Sequence, residues 1–183
     1  AVNGILFNHE SPRRGENFVT RKISRGVANI LKGVQNYIAL GNLNASRDWG
    51  HAKEYVIAMY LMMQQDKPED YVISSGNTVT VRKFIEYCFI SIGIELEFSG
   101  EGEMEIATVK KINNNSLKEF KNEINHFPRL GDILIRVDSR LFRPLEVDNL
   151  KGNSLKAKND LKWEAMISIE DLAKEMVLFD LKN

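Results

Sequence analysis

Two rhythms of apolar residues alternate over the first half of the chain. Short runs read as strands: Ile5-Leu6-Phe7, Tyr37-Ile38-Ala39-Leu40-Gly41 and Tyr71-Val72-Ile73-Ser74. Between them, apolar positions recur at helical spacing. Val19, Ile23, Val27, Ile30 and Leu31 predict a helix closed by Gly33. Asp48 stands where an N-cap belongs, ahead of an apolar helix containing Ala52, Tyr55, Val56, Met59 and Met62. Thr80 predicts the cap of a third helix, with Val81, Phe84, Ile85, Cys88, Phe89 and Ile92 on one face and Gly93 as its stop. The segment Asn8-His9-Glu10-Ser11-Pro12 reads as a turn. Strand and helix in alternation predict an α/β fold.

From Ser99 to Gly131 the rhythm is lost. Gly100-Glu101-Gly102-Glu103 and Asn113-Asn114-Asn115 read as loop, and the stretch Lys110 to Asn125 as a surface loop. Order returns with a strand at Ile133–Val137 and two closing helices. One spans Ser154 to Leu161. The other follows Ser168, which forms a capping box with Asp171 and leads a face of Ile169, Leu172, Ala173, Met176 and Val177. The chain opens with Ala1 and enters an apolar strand at once, which predicts that it is the second part of a longer protein.

Charge and composition narrow the function classes. In the 183 residues, 25 Lys and Arg balance 25 Asp and Glu, which argues against a dedicated nucleic-acid binder. The 43% hydrophobic share is that of an ordinary globular chain, and no apolar run approaches the roughly 18 residues of a membrane span. A single cysteine, Cys88, excludes an internal disulfide and predicts a reducing, cytoplasmic setting. On its helix face Cys88 reads as a packed core thiol.

Motif chemistry is mostly negative. There is no G-x-G-x-x-G, no G-x-S-x-G and no P-loop, and the start of a zinc motif at His9-Glu10 fails because Arg13 holds the second histidine position. The positive signal is basic. Residues 1–50 hold Arg13, Arg14, Arg21, Lys22, Arg25, Lys32 and Arg47 against Glu10, Glu16 and Asp48, seven minus three or +4 in a neutral chain. Arg21, Arg25 and Lys32 read as a solvated helix face with surface ion pairs. Arg14, Arg47 and Arg143 each adjoin a turn, an aromatic residue or a proline. For these three the pattern leaves anion binding and simple surface charge both open.

Longer blocks carry a family resemblance. Asn3-Gly-Ile-Leu-Phe-Asn-His-Glu-Ser-Pro-Arg-Arg-Gly15, Phe18-Val-Thr-Arg-Lys-Ile23, Leu40-Gly-Asn42, Arg47-Asp-Trp-Gly-His-Ala-Lys53 and Val137-Asp-Ser-Arg-Leu-Phe-Arg-Pro144 resemble the GDP-mannose 4,6-dehydratase family, as do Glu146-Val-Asp148, Leu161-Lys-Trp163 and the last helix. The likeness runs the length of the chain, loosening between about Ser99 and Asp132, and departs from the family pattern at Ser139, Leu141, Leu145 and Glu54.

That family belongs to the extended short-chain dehydrogenases/reductases. The resemblance implies the C-terminal portion of a Rossmann-type dehydratase, with the last parallel strands and helices plus a small substrate-binding α/β domain. Residues 1–98 would mix Rossmann elements with substrate-binding ones, and 99–183 would be mainly the substrate-binding domain. The implied activity is NADP-dependent conversion of GDP-mannose to GDP-4-keto-6-deoxymannose in a homo-oligomer, a dimer or tetramer. By matching position, Asn8, Lys22, Arg47, Arg143 and Glu146 would contact GDP-mannose, and His9 and Arg14 would contact NADP. None of the five tyrosines has a lysine four positions later, so the family's Tyr-x-x-x-Lys pair is not in this chain and the chain alone is expected to be inactive. Two alternatives are a non-catalytic nucleotide-sugar-binding module and another nucleotide-sugar dehydratase or epimerase.

Overall fold

The computed structural model describes residues 1–118, 120–142 and 149–183, and only the backbone of Lys118. Two short strands open it, β1 (Gly4–Leu6) and β2 (Asn8–Glu10). Asn8 to Glu10 is therefore strand where a turn was expected. The turn begins later, where the Arg14 amide donates to the Ser11 carbonyl at 2.9 Å. Local sequence could not show this, because β2 is held by a partner distant in the chain.

Helix α1 (Val19–Leu31) follows, then β3 (Ile38–Leu40) and β4 (Ser46–His51). Asp48 lies inside β4, not at a helix start. The cap of the next helix, α2 (Ala52–Met63), is His51, whose side chain accepts from the Lys53 amide at 3.1 Å. Asp48 is diverted because amides from two distant turns converge on its carboxylate. Next come β5 (Tyr71–Ile73), β6 (Thr78–Thr80) and α3 (Val81–Ile90), and the Thr80 hydroxyl accepts from the Lys83 amide at 3.1 Å, as its sequence position predicts. Gly33 and Gly93 take positive φ of 74° and 82° just beyond α1 and α3, which suits residues that stop a helix.

The region from 99 onward is more ordered than its sequence suggests. Strand β7 (Ile94–Ser99) pairs antiparallel with the seven-residue β8 (Ile106–Ile112), and α4 (Asn114–Lys118) follows at once. Leu117 and Ile124 are buried and anchor the stretch to the core, while most of its described residues stay on the surface as expected. The register on β7 shifts so that Lys110 is an extra residue of β8, and the exposed pair Lys110-Lys111 breaks the two-residue alternation that would have marked it as a strand. Strand β9 (Ile133–Val137), the two-residue β10 (Asn149–Leu150), α5 (Leu155–Leu161) and α6 (Ile169–Lys182) complete the order. The Ser168 hydroxyl caps α6 by accepting from the Asp171 amide at 3.0 Å.

Three sheets form among the described residues. β1 and β5 form a parallel pair; β10, β4 and β2 run side by side with β6 also on β4; and β3, β9, β8 and β7 make a four-stranded sheet. Helices α1, α3 and α6 pack together and share a core with the four-stranded sheet through Ile23, Val27, Phe84, Phe89, Ile135 and Met176. A smaller core gathers Tyr55, Ala58, Met62, Ile73, Leu161 and Trp163 beneath α2 and α5. Cys88 is fully buried, as expected.

Two expectations change here. An apolar run such as Ile5-Leu6-Phe7 is expected to be a buried strand, yet Ile5 is 57% exposed; among the described residues β1 pairs only with β5. Arg21 was read as part of a solvated face but is 8% exposed, paired to buried Asp180 of α6. Ser24 donates to the same carboxylate at 2.7 Å, and Lys32 donates to the Asp180 carbonyl at 2.9 Å. The polar side of α1 is buried because α6 lies across it. Arg25 does behave as expected, paired with exposed Glu16.

Candidate nucleotide-sugar site

A cavity of about 500 Å³ opens where β2, the first turns of α1, the end of β3 and β4 meet. Strand geometry selects its walls. Successive side chains point to opposite faces, so Asn8 and Glu10 of β2 and Arg47 and Trp49 of β4 line it. The intervening His9 and Asp48 do not. From α1 and the turn before it come Arg14, Phe18, Thr20 and Lys22, and Leu40, Gly41 and Asn42 close the far side. Gly41 is packed so tightly that a Cβ there would lie 2.3 Å from the Leu141 carbonyl oxygen, a backbone atom on the same rim.

Four of the residues selected from sequence, Asn8, Arg14, Lys22 and Arg47, therefore share one cavity. His9 lies on the other face of β2. There its Nδ1 is 2.8 Å from the Phe7 carbonyl, to which it donates as the N–H tautomer, and its ring stacks on Tyr55 at 5.2 Å. Arg143 and Glu146 lie outside the described residues.

The electrostatics favour an anion. Lys22 is half-buried, and burial lowers its ammonium pKa against the opposing pull of Asp138. Asp138 itself is held at about 2, first by its side-chain hydrogen bond from Arg140. The Arg47 Nη1 donates to the Ser46 carbonyl at 2.9 Å. The Arg14 guanidinium lies 3.5 Å over the Phe18 ring, and its Nε is 3.2 Å from Glu10. A stacked and ion-paired arginine has little rotamer freedom left to lose on binding.

Glu10 is the residue that the sequence reading passed over. It is 1% exposed and takes a hydrogen bond from the Thr20 hydroxyl. Burial raises its pKa above the ordinary glutamate value, opposed by Thr20 and then Arg14. The signal lay in its spacing: two residues after Asn8, it shares Asn8's face once β2 is known to be a strand. Among the described residues, no group of three His, Cys, Asp or Glu is placed to hold a metal ion.

Comparison with known proteins bears on the cavity's ligand. The family model for GDP-mannose 4,6 dehydratase matches residues 1–176. The chain belongs to the GDP-mannose 4,6-dehydratase family. It is 50% identical over 183 residues to the GDP-mannose 4,6-dehydratase of Yersinia enterocolitica and 47% identical over 182 residues to the human GDP-mannose 4,6 dehydratase. All of the chain is covered in both cases, against 47% and 44% of those proteins, so the chain spans about half the length of the curated relatives it matches. Among solved structures, RMD from Pseudomonas aeruginosa complexed with NADPH superposes with a TM-score of 0.69 at 17% identity, covering 98% of this chain and 48% of that one. The dTDP-glucose 4,6-dehydratase of Bacillus anthracis in complex with NAD gives 0.61 at 18% identity over 98% and 44%. These two likenesses show that the chain shares its α/β fold with part of each of those proteins.

Proposed function

We propose that the protein is a GDP-mannose 4,6-dehydratase, forming GDP-4-keto-6-deoxymannose, and that this chain supplies its nucleotide-sugar-binding part. The observation that carries the reading is the convergence of Lys22 and Arg47 on one cavity in a chain of this family. They come from different elements, a helix and a strand, and two cations at a shared, partly desolvated wall suit a diphosphate. Asn8 can both donate and accept, which suits a sugar hydroxyl or a phosphate oxygen. Arg143 and Glu146 would complete the nucleotide contacts by family position.

NADP fits this chain only at its edge. The Arg14 guanidinium in the cavity can meet an anionic or amide oxygen, whereas the glycine-rich turn that cradles a dinucleotide pyrophosphate is absent from the sequence. When bound, NADP would supply the hydride chemistry that the conversion of GDP-mannose requires. The residues of this chain hold the diphosphate and keep Arg14 oriented through Glu10 and Phe18. His9, supported by Tyr55, would contact the cofactor from the opposite face of β2. Among the described residues, no helix is long and apolar enough to cross a membrane. The single cysteine supports a cytoplasmic setting.

Two measurements test this. Calorimetry of the whole protein with GDP, UDP and dTDP should rank GDP first, and a pyrimidine preference overturns the reading. With NADP, the whole protein should consume GDP-mannose while the isolated chain does not. Turnover by the isolated chain would refute the division of labour.

A further inference from the structure

Behind the cavity wall lies a second polar assembly, facing away from the site. The Asp48 carboxylate is completely buried on the face of β4 opposite Arg47 and Trp49. It accepts from the Ser75 amide at 2.8 Å, the Ser75 hydroxyl at 2.7 Å, the Gly76 amide at 3.0 Å and the Gly152 amide at 3.1 Å. Ser75 and Gly76 belong to the turn that enters β6, and Gly152 to the turn that leaves β10. The two turns are distant in sequence and meet at one side chain.

The strands they serve flank one residue. In register, Arg47 pairs with Val79 of β6 and with Leu150 of β10. A strand residue has two edges, so these partners lie on opposite sides of Arg47. The two-residue strand β10 has little ladder of its own to hold it there. Asp48 supplies the missing restraint from behind by gripping the turn at the end of each flanking strand.

We infer that Asp48 is a positioning residue, clamping β6 and β10 about Arg47 so that its guanidinium is presented to the diphosphate. The inference rests on the cavity being a diphosphate site. A buried carboxylate with four donors differs from its amide in a defined way. Asn can keep one carbonyl oxygen as acceptor, but its NH₂ turns toward the remaining amides, which then lose their partner. The clamp opens on one side while volume is unchanged.

The test compares wild-type protein with Asp48→Asn, using inorganic pyrophosphate as the probe by calorimetry, with GDP alongside. Pyrophosphate affinity of the folded variant should fall by roughly tenfold or more, the weight of one well-placed charge-assisted contact. Gly152→Ala attacks the clamp from the other end, since a Cβ there would lie 2.2 Å from the Ser74 Cβ. It should weaken pyrophosphate in the same way and serves if Asp48→Asn fails to fold. A purely structural role predicts something else: a lower Tm with wild-type pyrophosphate affinity in the folded variants, and that result overturns the inference. A wild-type preference for UDP or dTDP over GDP strikes the proposed function instead and leaves the pyrophosphate comparison intact.

Discussion

Replacing Lys22 by Met removes the charge at the cavity wall and keeps most of the side-chain stem. Lys22 lines the cavity with Arg47 and is only half-buried, so the variant should fold, with stability within about 1 kcal/mol of the parent protein. The ammonium already carries a desolvation cost, seen in its lowered pKa, which a bound phosphate would offset. A hydrogen bond to a charged group contributes about 1.5–3 kcal/mol. At 1.4 kcal/mol per tenfold, Lys22→Met should raise the Kd for GDP by roughly ten- to a hundredfold. Titration calorimetry with GDP reads this directly, and guanosine serves as a control that lacks the diphosphate. Guanosine affinity should not change. Repeating the titrations near 1 M salt should shrink the gap, because the screening length drops to about 3 Å. If GDP affinity falls less than about threefold, or guanosine loses as much as GDP, then Lys22 does not face the diphosphate.

Other outcomes follow from the same structure. Asp180→Ala should cost about 3–5 kcal/mol in denaturant unfolding, because it strands Arg21 as an uncompensated buried charge between α1 and α6; a loss below about 1 kcal/mol would contradict the buried pair. Glu10 titrates with a raised pKa in the folded state, so the folded protein holds more protons than the unfolded chain above about pH 4.3, and stability falls as pH rises through the folded-state value. Glu10→Gln removes that slope, so calorimetric Tm differences should move in the variant's favour across this window, and a flat difference would refute the assignment. Cys88, fully buried and with its thiol pKa raised by burial, should resist iodoacetamide in the native protein and react on unfolding; native labelling would place it elsewhere.

How much of this could be read in the sequence depends on the range of the interactions involved. Helices α1, α3 and α6 were visible because an apolar face at 3.6-residue spacing and a hydroxyl cap at Thr80 or Ser168 are local features. Strand β2 was hidden, since three residues ending in His-Glu carry no alternation and owe their extension to pairing with Trp49–His51. Strand β8 was hidden for a related reason: Lys110, an extra residue where the register on β7 shifts, interrupts its alternation. Asp48 misled because an aspartate before an apolar helix has the form of a cap, while its actual donors come from turns far along the chain.

The site divides in the same way. Family likeness and charge selected Asn8, Arg14, Lys22 and Arg47 one by one. Neither could show that Glu10 lies among them or that His9 turns away, because the face of a strand residue is settled only when the strand exists. By itself, then, the sequence determined the helices other than α4, the family and the list of cations. Tertiary structure alone decided which of those cations meet, what holds them from behind, and which carboxylates are buried beside them. The physical reason is that a helix is stabilised within its own segment, whereas a strand and a charged cavity are stabilised by partners brought together only when the chain folds.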